Sequence, residues 1–221
     1  MTDTPRLIEQ LAARATPVRP LASPGRRTLL WLALAFAVIA TLLLLRGGME
    51  PGALADPAAR LQWGASLLAG VLAAYATFQV SVPGRAASWA WLPVPAVLAW
   101  LAGLGWGCLR EHARLGDAAW QFHAGSAECA WAITVVSLPL ALVMLLVVRH
   151  AGAVRPALTA LLAMLGTAAL SSAGVTLVHD AGETMAMVLL WHLGVVVLLS
   201  LLSLLAGRPL LGWIGHARPR P

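Results

Sequence analysis

Six long apolar stretches occupy more than half of this sequence, and none of them contains Asp, Glu, Lys or Arg. Each approaches the roughly 20 residues that an α-helix needs to cross a bilayer. One charge at the centre of such a helix costs roughly 2.5–3.5 kcal/mol on insertion, so six uncharged stretches strongly favour a membrane location. The pattern predicts an all-α polytopic membrane protein, a bundle of six transmembrane helices. The predicted spans are Thr28–Leu45, Leu61–Val82, Trp89–Leu109, Cys129–Val148, Ala157–Val178 and Thr184–Ala206.

The charged residues predict which ends of the spans face the cytoplasm. Only 11% of the 221 residues are charged, against about 25% in soluble domains. All fifteen positive residues are Arg, and with a cytoplasmic N-terminus eleven fall inside and four outside, as the positive-inside rule requires. The basic charge therefore indicates topology first and contact with anionic lipid second, rather than nucleic-acid binding. The inside residues are Arg6, Arg14, Arg19, Arg26, Arg27, Arg85, Arg149, Arg155, Arg208, Arg218 and Arg220; the outside ones are Arg46, Arg60, Arg110 and Arg114.

Three regions follow from this topology. Residues 1–27 form a cytoplasmic N-terminal segment, 28–206 the transmembrane domain, and 207–221 a cytoplasmic C-terminal tail. We expect no cleavable signal peptide, because the first 27 residues are polar and rich in Arg. A short amphipathic helix is predicted from Pro5 onward, ended by Pro17 and Pro20. Its apolar positions are Leu7, Ile8, Leu11, Ala12 and Ala15.

Features inside the spans predict how the helices pack. Pro93, Pro95 and Pro139 should kink or loosen their helices, because proline removes a backbone hydrogen bond. Small residues allow close approach between transmembrane helices. The second and third spans carry them at Ala69, Gly70, Ala73, Ala74, Gly103 and Gly107.

The only two cysteines, Cys108 and Cys129, are predicted near the outer face. An oxidising exterior would allow a disulfide between them, and two free, buried thiols are an equally open alternative. Several possible metal ligands also fall on the outer side, but their spacing matches no compact metal motif. We therefore favour solvated loop residues and expect no metal and no other cofactor. These residues are His112, His123, Glu128, Cys129, His179, Asp180 and Glu183.

His192 is the one histidine placed inside a predicted span. An ionisable residue at membrane depth is a candidate functional residue. The alternative is a hydrogen bond between helices, to Ser, Thr or a backbone carbonyl. The sequence contains no phosphate-binding loop, no G-x-S-x-G and no H-E-x-x-H, so no catalytic activity is expected.

An ordered series of short segments resembles the negative regulator of sigma F family, six-span bacterial anti-sigma factors. The resemblance extends over nearly the whole chain, and the order and spacing of the segments carry it. The segments are Leu7-Ile8-Glu9-Gln10-Leu11-Ala12, Pro17-Val18-Arg19-Pro20-Leu21, Ser81-Val82-Pro83-Gly84-Arg85, Leu104-Gly105-Trp106-Gly107-Cys108, Glu128-Cys129-Ala130, Leu190-Trp191-His192-Leu193 and Leu205-Ala206-Gly207-Arg208.

The resemblance implies a membrane-bound anti-sigma factor of the bacterial inner membrane. Such a protein holds an extracytoplasmic-function sigma factor through its N-terminal segment and releases it on an envelope-side redox or metal stress signal. The implied sigma-binding residues are Leu7, Ile8, Leu11, Arg14, Pro17, Val18 and Pro20, and the implied sensing residues are Cys108, Cys129, His179 and His192. In the family pattern a cysteine often follows the histidine of the last outer loop, whereas here Asp180 follows His179. Without that cysteine, the resemblance implies either no sensing by a cysteine pair or a pair formed by Cys108 with Cys129.

Two other functions compete with this one. A small transporter or channel would use His192 and the kinked spans around a pathway, and would not need residues 1–21. A membrane thiol redox protein would use the two cysteines repeatedly. The N-terminal helix has its own alternative, which is to lie on anionic lipid.

Overall fold

The computed structural model describes residues 3–13, 21–121, 127–151, 154–178 and 184–215, and this part of the chain is helical without strands. The all-α fold class is therefore confirmed. The α-helices are α1 (Thr4–Ala13), α2 (Pro24–Leu45), α3 (Pro57–Val80), α4 (Val94–Leu115), α5 (Ala127–Val148), α6 (Pro156–Thr176), α7 (Met185–Val188) and α8 (Gly194–Gly215). Single 3₁₀ turns lie at Ala87–Trp91, Gly116–Trp120 and Arg149–Ala151, and a π-helical turn at Leu189–Leu193 joins α7 to α8.

Six helical segments of the described chain are long and apolar enough to cross a membrane, as predicted. Their starts differ from the predicted ones because of local capping. The Ser23 side chain accepts a hydrogen bond from the Arg26 amide, and Pro24 occupies the first helical position, so α2 begins before Thr28. The segments are Pro24–Leu45, Pro57–Val80, Ala87–Trp120, Ala127–Val148, Pro156–Thr176 and Met185–Gly212.

The helices α3 and α6 form the centre of the bundle, and the other spans pack around them. Small residues allow this contact, since a Cβ on Gly70 would lie 2.6 Å from the Leu170 Cγ atom. A Cβ on Gly166 would lie 3.1 Å from the Ala74 backbone nitrogen. The prediction that small residues allow close approach thus holds for α3, and Gly166 on α6 contributes to the same contact.

Proline has different effects in the different spans. The third span is interrupted rather than kinked, because Ala87–Trp91 is a 3₁₀ turn and α4 begins only after Pro93. Pro139 lies within the continuous helix α5. Pro209 lies within α8, which continues to Gly215, beyond the predicted span end at Ala206.

Charged residues separate to the two ends of the bundle. The Arg-rich end carries Arg26, Arg27, Arg85, Arg149, Arg155 and Arg208, at the start of α2 and α6 and the end of α3, α5 and α8. There the Arg155 side chain donates to the Arg85 carbonyl at 3.1 Å. The acidic end carries Glu50, Asp56, Glu111, Asp117 and Glu128. This sorting is the one that the charge pattern predicts; which end faces the cytoplasm remains a prediction.

Candidate functional site

The N-terminal helix α1 leaves its apolar stripe uncovered. None of its residues is buried, and Leu7, Ile8 and Leu11 are 48%, 61% and 63% exposed. Residues four positions apart lie on one face of a helix, so Leu7 and Leu11 form a ridge with Ile8 beside it. About half or more of each side chain in this stripe is therefore exposed. The other predicted sigma-binding residues, Arg14, Pro17, Val18 and Pro20, lie outside the described residues.

A buried network of polar side chains connects four helical segments. The Gln62 side chain, 1% exposed, accepts a hydrogen bond from the Trp100 indole at 3.3 Å and donates to the Thr176 hydroxyl at 3.5 Å. The latter distance is at the long limit for such a bond, which makes it the weakest connection in the network. The Thr176 hydroxyl donates in turn to the Ser172 carbonyl at 3.0 Å. These contacts join α3, α4 and α6 through polar groups.

His192 closes this network at the centre of the bundle. Its Nδ1 atom lies 3.0 Å from the Ser172 hydroxyl, and its ring is 1% exposed. The structure thus shows the contact between helices that was one of the two sequence interpretations. His192 also lies in the π-helical turn Leu189–Leu193. Such turns are rare and occur frequently at functional sites. A functional role for His192, the other sequence interpretation, is therefore compatible with this contact and stays a prediction.

A cavity of about 270 Å³ opens at the acidic end above this network. Asp56 and Arg110 form an ion pair of 3.2 Å in its wall. The Glu111 carboxylate accepts a hydrogen bond of 2.6 Å from the Met185 amide, where α7 begins. Gln62 and Thr176 line the same cavity. Thr176 in the cavity wall and His192 thus meet at Ser172, the first at its carbonyl and the second at its hydroxyl.

Sequence reasoning missed this assembly, although it placed His192 correctly within a span. Polar residues inside apolar spans are the signal that could have found it, since each must find a partner within the bundle. Gln62 in the second span and Ser172 and Thr176 in the fifth are such residues. Their pairing was not predictable, because the sequence does not say which helices are neighbours.

A second cavity, of about 530 Å³, lies between α2, α5 and α6. Its walls are mainly apolar, and Arg46, Glu128 and Cys129 line it as well. Arg46 and Glu128 are exposed, whereas Cys129 is 8% exposed. This crevice gives Cys129 a different environment from that of the other thiol.

Comparison with known proteins identifies the family. Residues 11–213 match the model of a family described as negative regulator of sigma F. The chain belongs to this family. No curated protein and no solved structure matches it.

Membership in the negative regulator of sigma F family confirms the resemblance and implies a sigma factor as partner. The match includes all six candidate spans and begins at Leu11, within α1. Leu7 and Ile8, which form the apolar stripe together with Leu11, lie before the first matched residue. Their assignment to sigma binding is therefore a proposal about this chain.

The residues predicted to sense a signal occupy separate surroundings. Cys108 and Cys129 are both buried, and no disulfide joins the two. Gly107, the residue before Cys108, faces Met185 and Ala58 at the contact of α4 with α3 and α7. Among the described residues no three His, Cys, Asp or Glu side chains converge as in a metal site. His112 lies near Trp120, whose indole donates to its Nδ1 atom at 3.1 Å, while His123, His179, Asp180 and Glu183 lie outside the described residues.

Proposed function

We propose that this protein is a membrane-bound anti-sigma factor of the bacterial inner membrane with both termini in the cytoplasm. It sequesters an extracytoplasmic-function sigma factor through residues 1–27 and has no catalytic activity. The family supports the regulatory role and the sigma-factor partner. The observation that carries the sequestration step is the exposed stripe of Leu7, Ile8 and Leu11 on α1.

The stripe has the chemistry of a helix that docks in a groove. An amphipathic helix binds such a groove through apolar residues three or four positions apart, as Leu11 is from Ile8 and Leu7, and polar residues remain outside. A ten-residue helix is marginally stable in water by itself, so binding would also stabilise α1. Arg6 and Arg14 flank the stripe and would meet acidic residues of the partner.

Release would begin at the acidic end, on the envelope side. We place the sensing function on Cys108, Cys129, His179 and His192, with a redox or metal stress as the signal. Support comes from the acidic-end cavity, because its Gln62 and Thr176 belong to the same hydrogen-bond network as His192. A shift of α6 or of the π-helical turn would then reach the Arg-rich end, where α2 begins. A switch of this kind needs a differential free energy of a few kcal/mol between its two states.

The test is binding of the full-length protein in nanodiscs to purified extracytoplasmic-function sigma factors from the same bacterium. Replacing Leu7 and Leu11 with Ala keeps the helix and removes most of the stripe. Full burial of one leucine is worth about 1.5–3 kcal/mol, so each substitution should weaken binding at least about tenfold. Glu9→Ala, on the opposite face of α1, is the matched control and should leave affinity nearly unchanged.

Two outcomes would refute the proposal. One is that the full-length protein retains no sigma factor. The other is that the leucine variants bind the sigma factor as well as the original chain does. If the double variant instead loses affinity for anionic vesicles and keeps its sigma factor, α1 is a lipid-binding helix.

A further inference from the structure

Arg27 is a buried cation without a complete set of partners. Its side chain is 6% exposed, near the start of α2 at the Arg-rich end. One terminal nitrogen, Nη2, donates to the Val147 carbonyl at the long distance of 3.4 Å, and the guanidinium carbon lies 4.9 Å from the centre of the Phe78 ring. The other terminal nitrogen, Nη1, is buried and has no hydrogen-bond partner among the described residues.

The contacts that Arg27 does make leave its charge largely uncompensated. Val147 lies in the last turn of α5, whose carbonyl end carries about half a negative charge at most. Phe78 attracts the cation through its ring electrons but carries no net charge. Buried charges in proteins are ordinarily paired, so the unpaired Nη1 indicates a place for an anion from outside the chain, which the guanidinium would meet by turning outward from its enclosed position.

The surroundings add positive charge instead of a carboxylate. Arg26 precedes Arg27, and Arg149 follows Val147 by two residues; both are exposed. Asp3 and Glu9 are the only acids of the predicted inside segments, and both are fully on the surface at α1. The positive end of the α2 helix dipole further favours an anion at this level.

We propose that Arg27 is the centre of a binding site for a phosphate group, with Arg149 at its rim. A guanidinium presents two parallel N–H groups, which match a phosphate better than a single point charge does. The site lies where the first span begins, and Leu29 and Leu30, two and three residues further along α2, are 69% and 64% exposed. Those leucines offer an apolar surface for acyl chains, so the phosphate belongs to an anionic phospholipid. This inference does not depend on sigma-factor binding.

The experiment compares lipids on the full-length protein. Nanodiscs are made of phosphatidylcholine alone or with an equal amount of phosphatidylglycerol, and native mass spectrometry counts the lipids that stay bound after transfer to neutral detergent. We expect preferential retention of phosphatidylglycerol by the original chain and an at least about tenfold weaker preference in Arg27→Gln. Arg27→Lys, which keeps the charge and loses the fork, should be intermediate.

Arg26→Gln is the matched control, since it removes the same charge from the neighbouring, exposed position. It should keep most of the preference for phosphatidylglycerol. The melting temperature of each variant in phosphatidylcholine nanodiscs shows whether it is folded. If Arg27→Gln does not fold, the lipid preference of the original chain alone tests the proposal. Equal retention of the two lipids by the original chain, or an equal loss in Arg26→Gln and Arg27→Gln, would overturn the site.

A separate arm distinguishes the source of the phosphate. Inorganic phosphate is added to the protein in neutral detergent, with chloride at the same ionic strength as control. Stabilisation by phosphate that disappears in Arg27→Gln supports the phosphate site and assigns it to the free ion if phosphatidylglycerol has no effect. If Arg27→Gln weakens sigma-factor binding in phosphatidylcholine nanodiscs and leaves lipid retention unchanged, Arg27 contacts the protein partner and the proposal is wrong.

Discussion

At the scale of single residues, most described Ser and Thr hydroxyls inside the bundle bond to a carbonyl of their own helix, and a smaller arrangement of hydrogen bonds joins different helices. Gln62 is the centre of this arrangement, because its side chain is bonded both to Trp100 and to Thr176. A buried group that loses its partner costs more free energy than the bond contributed, since water cannot replace it. The residues around Gln62 should therefore be sensitive to small changes.

Trp100→Phe tests this sensitivity. The change keeps the ring in the core and leaves the Gln62 carbonyl oxygen without its donor, so the free energy of unfolding should fall by about 1 kcal/mol. Unfolding of the detergent-solubilised protein by a denaturing detergent measures it. Trp91→Phe is the control, since Trp91 is 72% exposed, and should have almost no effect. Equal stability of all three proteins would contradict the network.

The two thiols should differ in their reaction with N-ethylmaleimide. Cys108 and Cys129 are nearly equally buried, at 6% and 8% exposed, but only Cys129 lines the crevice between α2, α5 and α6. Cys129 should therefore be labelled faster in the folded protein, and the two rates should converge after unfolding. Single-cysteine variants followed by mass spectrometry give the rates; faster labelling of Cys108 would show that the crevice does not determine access.

At the scale of elements, the sequence predicted the existence of every span and few of its ends. Apolar runs identify spans because charge is costly in a bilayer. The same criterion ends a predicted span at any charged residue, including one that is paired in the folded protein. Arg110 and Glu111 therefore fell outside the predicted third span, whereas α4 continues through them to Leu115. The Asp56 carboxylate and the Met185 amide satisfy them. The π-helical turn at His192 had no signal in the sequence.

The contact between α3 and α6 should respond to one added methyl group. A Cβ on Gly70 would lie 2.6 Å from the Leu170 side chain and 3.0 Å from its backbone nitrogen, so Gly70→Ala should destabilise the bundle by about 1–3 kcal/mol. Gly64→Ala, on the same helix with nothing within 4 Å, is the control and should be neutral or slightly stabilising. Thermal unfolding in one detergent compares them. Equal melting temperatures would show that α3 and α6 are not in tight contact.

At the scale of the whole molecule, the two ends of the bundle differ. The acidic end holds a polar cavity lined by Gln62 and Thr176, and the Arg-rich end holds the start of α2. The sequence predicted this charge separation, because the loops keep their charges wherever the helices pack. It did not predict the cavity, which forms only once α3, α4, α6 and α7 have come together, or the burial of Arg27 against α3 and α5.

The orientation of these ends is itself testable. With the Arg-rich end in the cytoplasm, a tag fused before Met1 should resist protease added to intact spheroplasts and be digested after lysis. A tag in the connection at residues 122–126 should show the reverse. Digestion of the N-terminal tag in intact spheroplasts would reverse the topology and exclude sigma-factor binding through α1.

The most direct test of the account is the location of the sigma factor in cells. With the original chain, the sigma factor should sediment with the membranes, since α1 is tethered to six spans. With Leu7 and Leu11 both replaced by Ala, it should move to the soluble fraction and its target genes should be expressed, whereas Glu9→Ala should change neither. A sigma factor that stays soluble beside the original chain, or stays on the membrane with the double variant, would contradict sequestration by α1.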